Sequence, residues 1–233
     1  MSAATYRDRR QSLETYFDRT AFEAWKQLTS DAPVSNIRAT VRAGRDRMRS
    51  EILGWLPAEL AGARLLDAGC GTGALAFEAA LRGANVIAID VAAGLIEIAR
   101  ERTPTTLPQG AIEFRVGDMA DAAIGEIDHL VAMDSLIHYE TGDIVAALAA
   151  LAERTRKSMV FTVAPATPVL RVMQAAGRLF PRGDRAPAIV PVGIGGLRRR
   201  IGRESRLSGW RIGRTARIAS GFYISHAIEL VRV

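Results

Sequence analysis

The residues best placed to do chemistry lie in one short run, Leu65-Leu66-Asp67-Ala68-Gly69-Cys70-Gly71-Thr72-Gly73, with Asp90 closing the next apolar stretch. A strand that ends in a glycine-rich turn and opens a helix brings several backbone N–H groups and the positive helix end to one point. Glycine is needed there because a side chain would hold a ligand away from the main chain. The glycines alone leave two ligands open. Gly69, Gly71 and Ala74 also satisfy the dinucleotide fingerprint, and Asp90 falls where a nicotinamide-binding fold places its ribose carboxylate.

Three features favour S-adenosylmethionine, with S-adenosylhomocysteine as the product. Asp67, just ahead of the turn, would repel a pyrophosphate but is favourable beside a sulfonium and an α-ammonium group. Gly117-Asp118-Met119 supplies a polar group and an apolar wall for an adenine, and Val91 follows Asp90. The run Met133-Asp134-Ser135-Leu136-Ile137-His138-Tyr139 sets a polar cluster at the carboxyl edge of the sheet, where open α/β folds bind ligands. The expected cofactor contacts are Asp67, Gly69, Cys70, Gly71, Gly73, Asp90, Val91, Asp118, Met119 and Met133. The competing role for Asp118 and Asp134 is capping of the helices that follow, and for Cys70 it is filling a tight turn.

These residues need a scaffold, and the rest of the chain supplies one. From Ala63 onward short apolar strands alternate with helices: strands at Arg64–Ala68, Asn85–Asp90, Ile112–Val116, Ile127–Met133 and Ser158–Val163. That rhythm requires a parallel sheet covered by helices on both faces. The first sixty residues read as a helical cap, broken at Pro33 and ended by Pro57 and Gly62. Residues 61–233 form the core. Within it, 164–207 holds five prolines and reads as a substrate lid, with an apolar stripe from Val169 to Phe180. Trp210–Ile218 and Phe222–Val233 close the sheet.

The chain has 233 residues, 48% of them hydrophobic and 24% charged, with a net charge of +6. It has no apolar run of the ~18 residues that cross a bilayer, no secretory core in Met1–Arg10, and one cysteine. A cytoplasmic protein is expected. Twelve arginines against two acids lie between Arg171 and Arg217. Such a face suits an acidic planar partner, a phosphate backbone or an anionic membrane surface. Nucleic acid is disfavoured as a partner: no Asn/Asp-Pro-Pro-Tyr motif follows the fourth strand, and aromatic residues are too few for base stacking. No metal site is expected.

The chain resembles the magnesium-protoporphyrin IX methyltransferase family over almost its whole length. The resemblance rests on Tyr16-Phe17 through Trp25, on Val34-Ser35-Asn36-Ile37-Arg38 with Val41-Arg42-Ala43-Gly44-Arg45, on Asp67 to Gly73, and on Asp128-His129-Leu130-Val131-Ala132-Met133-Asp134-Ser135-Leu136-Ile137-His138-Tyr139. The glycine turn is shared by many methyltransferases, whereas the stretch ending in His138-Tyr139 is particular. The resemblance implies a Rossmann-like, seven-stranded methyltransferase sheet whose last strand is antiparallel. It also implies transfer of a methyl group to the 13-propionate of magnesium protoporphyrin IX in bacteriochlorophyll synthesis, with the magnesium chelatase large subunit as a partner and a peripheral contact on the photosynthetic membrane. Family members from oxygenic phototrophs carry a tyrosine a few residues after the counterpart of Trp25. The position here is Thr29, so that role is not carried over: either the tyrosine is dispensable, or Tyr16 or Tyr139 substitutes.

Transfer from a sulfonium to a carboxylate needs no general base, because a propionate with a pKa near ~4–5 is already ionised at pH 7. Alignment is the main demand, worth up to roughly 7–11 kcal/mol. His138 is therefore expected to donate a hydrogen bond to the propionate, with Tyr139 as a substrate contact and either Arg38 and Arg42 or arginines of the 164–207 insertion on the second propionate. If the acceptor were a quinone precursor or another small phenol, His138 would serve as a base instead. His129 and His226 read as structural.

Overall fold

In the computed structural model, residues 36–166 and 189–233 are described. They begin with helix α1 (Asn36–Trp55), followed by β1 (Arg64–Ala68), α2 (Ala74–Leu81), β2 (Asn85–Asp90), α3 (Ala93–Arg102), β3 (Ala111–Val116) and β4 (Ile127–Ala132). A 3-10 turn (Leu136–His138) precedes α4 (Thr141–Ala152), β5 (Thr155–Val163), α5 (Ile194–Ile201), β6 (Trp210–Ser220) and β7 (Tyr223–Arg232). The seven strands form one sheet in the order β3-β2-β1-β4-β5-β7-β6. Strands β1 to β5 pair in parallel, while β7 runs antiparallel to both β5 and β6. The expected α/β architecture is thus the one observed.

Buried on both faces, β1 reads as an almost continuous apolar strand, with Leu65, Leu66 and Ala68 wholly inaccessible. Its neighbours are β2 on one side and β4 on the other, so the strand order reverses at β1. A crevice opens beyond the carboxyl end of a strand in that position. The glycine turn that follows β1 sits there.

Helix α1 runs down the outside of the β6–β7 hairpin and buries Met48, Ile52 and Leu53 in the core cluster shared with α2 and β1. Near the top, a Cβ on Gly44 would lie 2.6 Å from Cδ1 of Tyr223, so the helix needs a glycine where that ring presses on its backbone. At the lower end, Arg214 on β6 donates to both carboxylate oxygens of Glu229 on β7, at 2.8 and 2.5 Å. The same guanidinium donates to the carbonyl of Trp55 and lies over its ring, 5.6 Å from the centroid.

Strand boundaries agree with the sequence reading to within three residues. The largest shift is at β5, which starts at Thr155 rather than Ser158 because Thr155 pairs with Ile127 ahead of a register irregularity. The first cap helix and the Val169–Phe180 stripe fall outside the described residues. Part of the 164–207 stretch is anchored to the core. Val192 exchanges backbone hydrogen bonds with Ala164 and Ala166, and Leu197, Ile201 and Leu207 are buried in the main core cluster. Their spacing of four and six residues hides among Arg198, Arg199, Arg200, Arg203 and Arg206, so polar composition masked a packed face. Among the described residues no helix is long and apolar enough to cross a membrane.

Candidate active site

The turn after β1 is built by backbone geometry. Gly69, Gly71 and Gly73 all adopt positive φ, at 80°, 54° and 80°. Gly69 is the tightest point: a Cβ there would stand 2.3 Å from the Cβ of Ser135, which follows β4. The N–H groups of Gly69 and Cys70 both donate to the carbonyl of Ile89 at the end of β2. Asp90 ties the two strand ends together, one carboxylate oxygen accepting from Gly71 N–H at 2.9 Å and the other from Ala92 N–H at 3.0 Å.

Asp67 lies directly beneath this turn and is 2% exposed. Its Oδ2 is buried without a hydrogen-bond partner. Burial, reinforced by the charge of Asp90, pushes its carboxyl up to about 7 against one backbone hydrogen bond from Ala76. A carboxylate held dry beside a second carboxylate is a poor resident for an empty core and a good neighbour for a cation. Cys70 is half-buried, and burial followed by Asp67 and Asp90 pushes its thiol up, so it stays protonated and fills space.

The remaining expected contacts lie along the same edge. Met119 and Met133 are buried, and Val91 packs partly buried against the main core cluster. Asp118 accepts from Ala120 N–H at 2.9 Å, which closes the turn after β3 through one of its oxygens. His138, 8% exposed, ends the 3-10 turn, and the carbonyl of Ile137 accepts from Val190 N–H. Tyr139 is buried within the main core cluster, so its ring packs into the core rather than standing open in the crevice. Arg38 is exposed and Arg42 half-buried on α1, where they share a helix face with Arg45 at i, i+4 and i+7.

His129 is buried in β4 with its Nδ1 2.7 Å from Ser158 Oγ, as expected of a structural residue. Burial, then Lys157, lowers its pKa and favours the neutral ring. His226 on β7 is lowered by burial and then by Arg217 and Arg198.

Sequence reasoning missed the cluster around Asp134. This residue has φ 56°, the one positive-φ non-glycine position among the described residues. Its carboxylate accepts from Tyr223 OH at 3.0 Å, Thr162 Oγ1 at 3.2 Å and Ser225 Oγ at 3.4 Å, and pairs with Arg45 at 3.1 Å. Its own N–H donates to Thr162 Oγ1 at 2.7 Å. Burial, then the Asp134 charge, raises the Tyr223 phenol, which holds it as a donor. From the sequence Asp134 belongs to a polar cluster at the carboxyl edge, with helix capping as the competing role; its partners lie on three other elements, and nothing local announces them.

Comparison with known proteins gives this edge its meaning. The chain matches a family model described as magnesium-protoporphyrin IX methyltransferase C-terminus over residues 132–232, and a methyltransferase domain model over 65–158. It is 47% identical to the magnesium-protoporphyrin O-methyltransferase of Rhodobacter capsulatus over 96% of this chain and 97% of that protein. The chain belongs to the magnesium-protoporphyrin O-methyltransferase family. A second member, from Synechocystis, is 28% identical over 97% of each chain. The crystal structure of the Synechocystis PCC 6803 magnesium protoporphyrin IX methyltransferase with bound S-adenosylhomocysteine superposes with a TM-score of 0.84, covering 97% of this chain and all of that one.

Membership in that family makes the chain an S-adenosylmethionine-dependent methyltransferase with the Rossmann-like methyltransferase fold. The residues present fit the cofactor. The buried, partnerless oxygen of Asp67 suits a cationic donor, and the glycine turn leaves the backbone bare beside it. Asp90, fixed by two backbone N–H groups, is an acceptor that would fit a ribose hydroxyl.

Proposed function

We propose that the chain methylates the 13-propionate of magnesium protoporphyrin IX, giving the monomethyl ester. The observation that carries this reading is the continuity of the family-particular segment Asp128–Tyr139 with the cofactor turn. It brings His138 to the carboxyl edge of the sheet and sets Ser135 against Gly69. Bound S-adenosylmethionine supplies a methyl group activated on a sulfonium.

The protein's part is then to bind, orient and keep water out. Asp67 and Asp90 favour the cationic donor over its neutral product. Met119 and Met133 line the cofactor side with apolar surface, and a dry site favours a reaction in which opposite charges are neutralised. His138 donates a hydrogen bond that aims one propionate oxygen, and Arg38 and Arg42 meet the carboxylates of the macrocycle from α1. The metal arrives already inserted in the substrate, which makes the magnesium chelatase large subunit the expected supplier. The basic run Arg198–Arg206 is the face a peripheral contact with an anionic membrane would use.

The test is transfer of label from S-adenosylmethionine to magnesium protoporphyrin IX, metal-free protoporphyrin IX and a quinone precursor. Porphyrin esterification with a turnover rate flat down to about pH 5 supports the proposal, since the acceptor titrates near ~4–5. Methylation of the quinone precursor alone, with a rate that falls as a histidine protonates, overturns it.

A further inference from the structure

We infer that Asp134 is a positioning residue for methyl transfer, acting as a latch that fixes the cap helix to the cofactor turn through two adjacent side chains. One side of the latch is Arg45 of α1, whose guanidinium meets the Asp134 carboxylate at 3.1 Å. The other side is Ser135, whose Cβ fills the space that a side chain on Gly69 would occupy. A shift of α1 is thus passed to the glycine turn through two consecutive residues of the segment after β4.

The local geometry shows that the joint is held under constraint. A left-handed aspartate is uncommon, and such a conformation persists where the surroundings over-determine it. Here the surroundings are four donors from three elements: Arg45 from α1, Thr162 from β5, and Tyr223 and Ser225 from β7. All of them converge on a side chain that is 6% exposed. Strained residues cluster at functional sites for this reason. The conformation of Asp134 also sets the exit of the chain from β4 into the 3-10 turn that ends at His138. Two devices are therefore set by one carboxylate: the aim of His138, and the height of Arg38 and Arg42, which lie above Arg45 on one helix face.

The geometry of the latch does not depend on the substrate; its consequence for turnover rests on the proposed porphyrin reaction. The experiment therefore has a kinetic arm and a substrate-free arm. In the kinetic arm, Asp134→Asn should lower kcat more than tenfold and raise KM for the porphyrin, while S-adenosylhomocysteine affinity stays within threefold of wild type. Arg45→Met should lower kcat similarly, and Arg45→Lys should recover at least a third of the wild-type rate, which a bulk packing role would not predict. The double variant Arg45→Met with Asp134→Asn should be no slower than the slower single variant. Single variants within twofold of wild-type kcat, or a double variant whose loss is the product of the two single losses, overturn the latch. If Asp134→Asn does not fold, the Arg45→Met and Arg45→Lys pair decides by the same criteria.

In the substrate-free arm, amide exchange in Arg45→Met is followed over residues 38–45 and 134–139. Faster exchange in both segments supports the latch, and a rise in neither or in one alone removes it. Wild-type protein that leaves magnesium protoporphyrin IX unmethylated refutes the functional proposal, and the exchange arm then judges the latch separately.

Discussion

Two arginine–carboxylate pairs lie along helix α1, one within the β6–β7 hairpin beneath its lower end and one between the helix and the segment after β4, and they differ in everything but their chemistry. The lower pair, Arg214 with Glu229, is bidentate and adds the carbonyl and ring of Trp55. It lies at a register irregularity of the β6–β7 ladder, between Ile212 and Thr215, away from the residues assigned to the cofactor. The upper pair, Arg45 with Asp134, makes one 3.1 Å contact but closes on a left-handed residue next to the cofactor turn. The bidentate pair closes the hairpin, and the single contact adds to the Tyr223, Thr162 and Ser225 hydroxyls on the Asp134 carboxylate beside the glycine turn. Counting ion pairs would rank them the wrong way round for function.

Changes at the upper region should damage binding and turnover, and the largest effect is expected at Gly69. Gly69→Val places a branched side chain at φ 80° and into Ser135, so S-adenosylhomocysteine binding measured by calorimetry should fall by more than a hundredfold. His138→Ala should reduce turnover by more than tenfold with cofactor affinity within threefold; unaltered turnover would remove its orienting role.

Asp67 sharpens the comparison through pH. Its carboxyl lies at about 7, above the ordinary 3.8, so the ligand-free fold binds that proton more tightly than the unfolded chain does. The stability it confers is complete below about pH 4 and is lost as pH rises through 7. Affinity for the cationic donor should therefore weaken as pH drops below 7, while kcat at saturation stays flat. Asp67→Asn should abolish that dependence and raise the ligand-free Tm at pH 8 more than at pH 5. An unchanged pH profile of binding would show that Asp67 is not the cation's neighbour.

The smallest effect on activity is expected at the lower pair. Glu229→Gln should cost about 1–3 kcal/mol of stability, seen in denaturant unfolding, through the loss of charged hydrogen bonds. Its kcat should stay within twofold of wild type. A tenfold loss of turnover there would erase the distinction between the two pairs.

The same contrast explains how much was legible in the sequence. The cofactor turn could be read because a sharp backbone bend demands glycine at fixed offsets, and the strands because burial on two faces demands unbroken apolar runs. Asp134 could not be placed, since Arg45, Thr162, Tyr223 and Ser225 become its neighbours only when four elements meet. The buried face of α5 was hidden for a different reason. Leu197 and Ile201 are one turn apart, but three consecutive arginines between them dominate the composition. His129 shows an intermediate case: its burial followed from its strand, while its partner Ser158 depended on the register of β4 against β5.

Gly44 has a consequence for engineering the cap. A glycine inside a helix costs roughly 0.5–1 kcal/mol relative to alanine, so a stabilisation campaign would replace it early. With the Tyr223 ring 2.6 Å from the point where a methyl would grow, that replacement would wedge the helix outward. The arginine row above it would lift with the helix, trading a firmer rod for a mis-set claw.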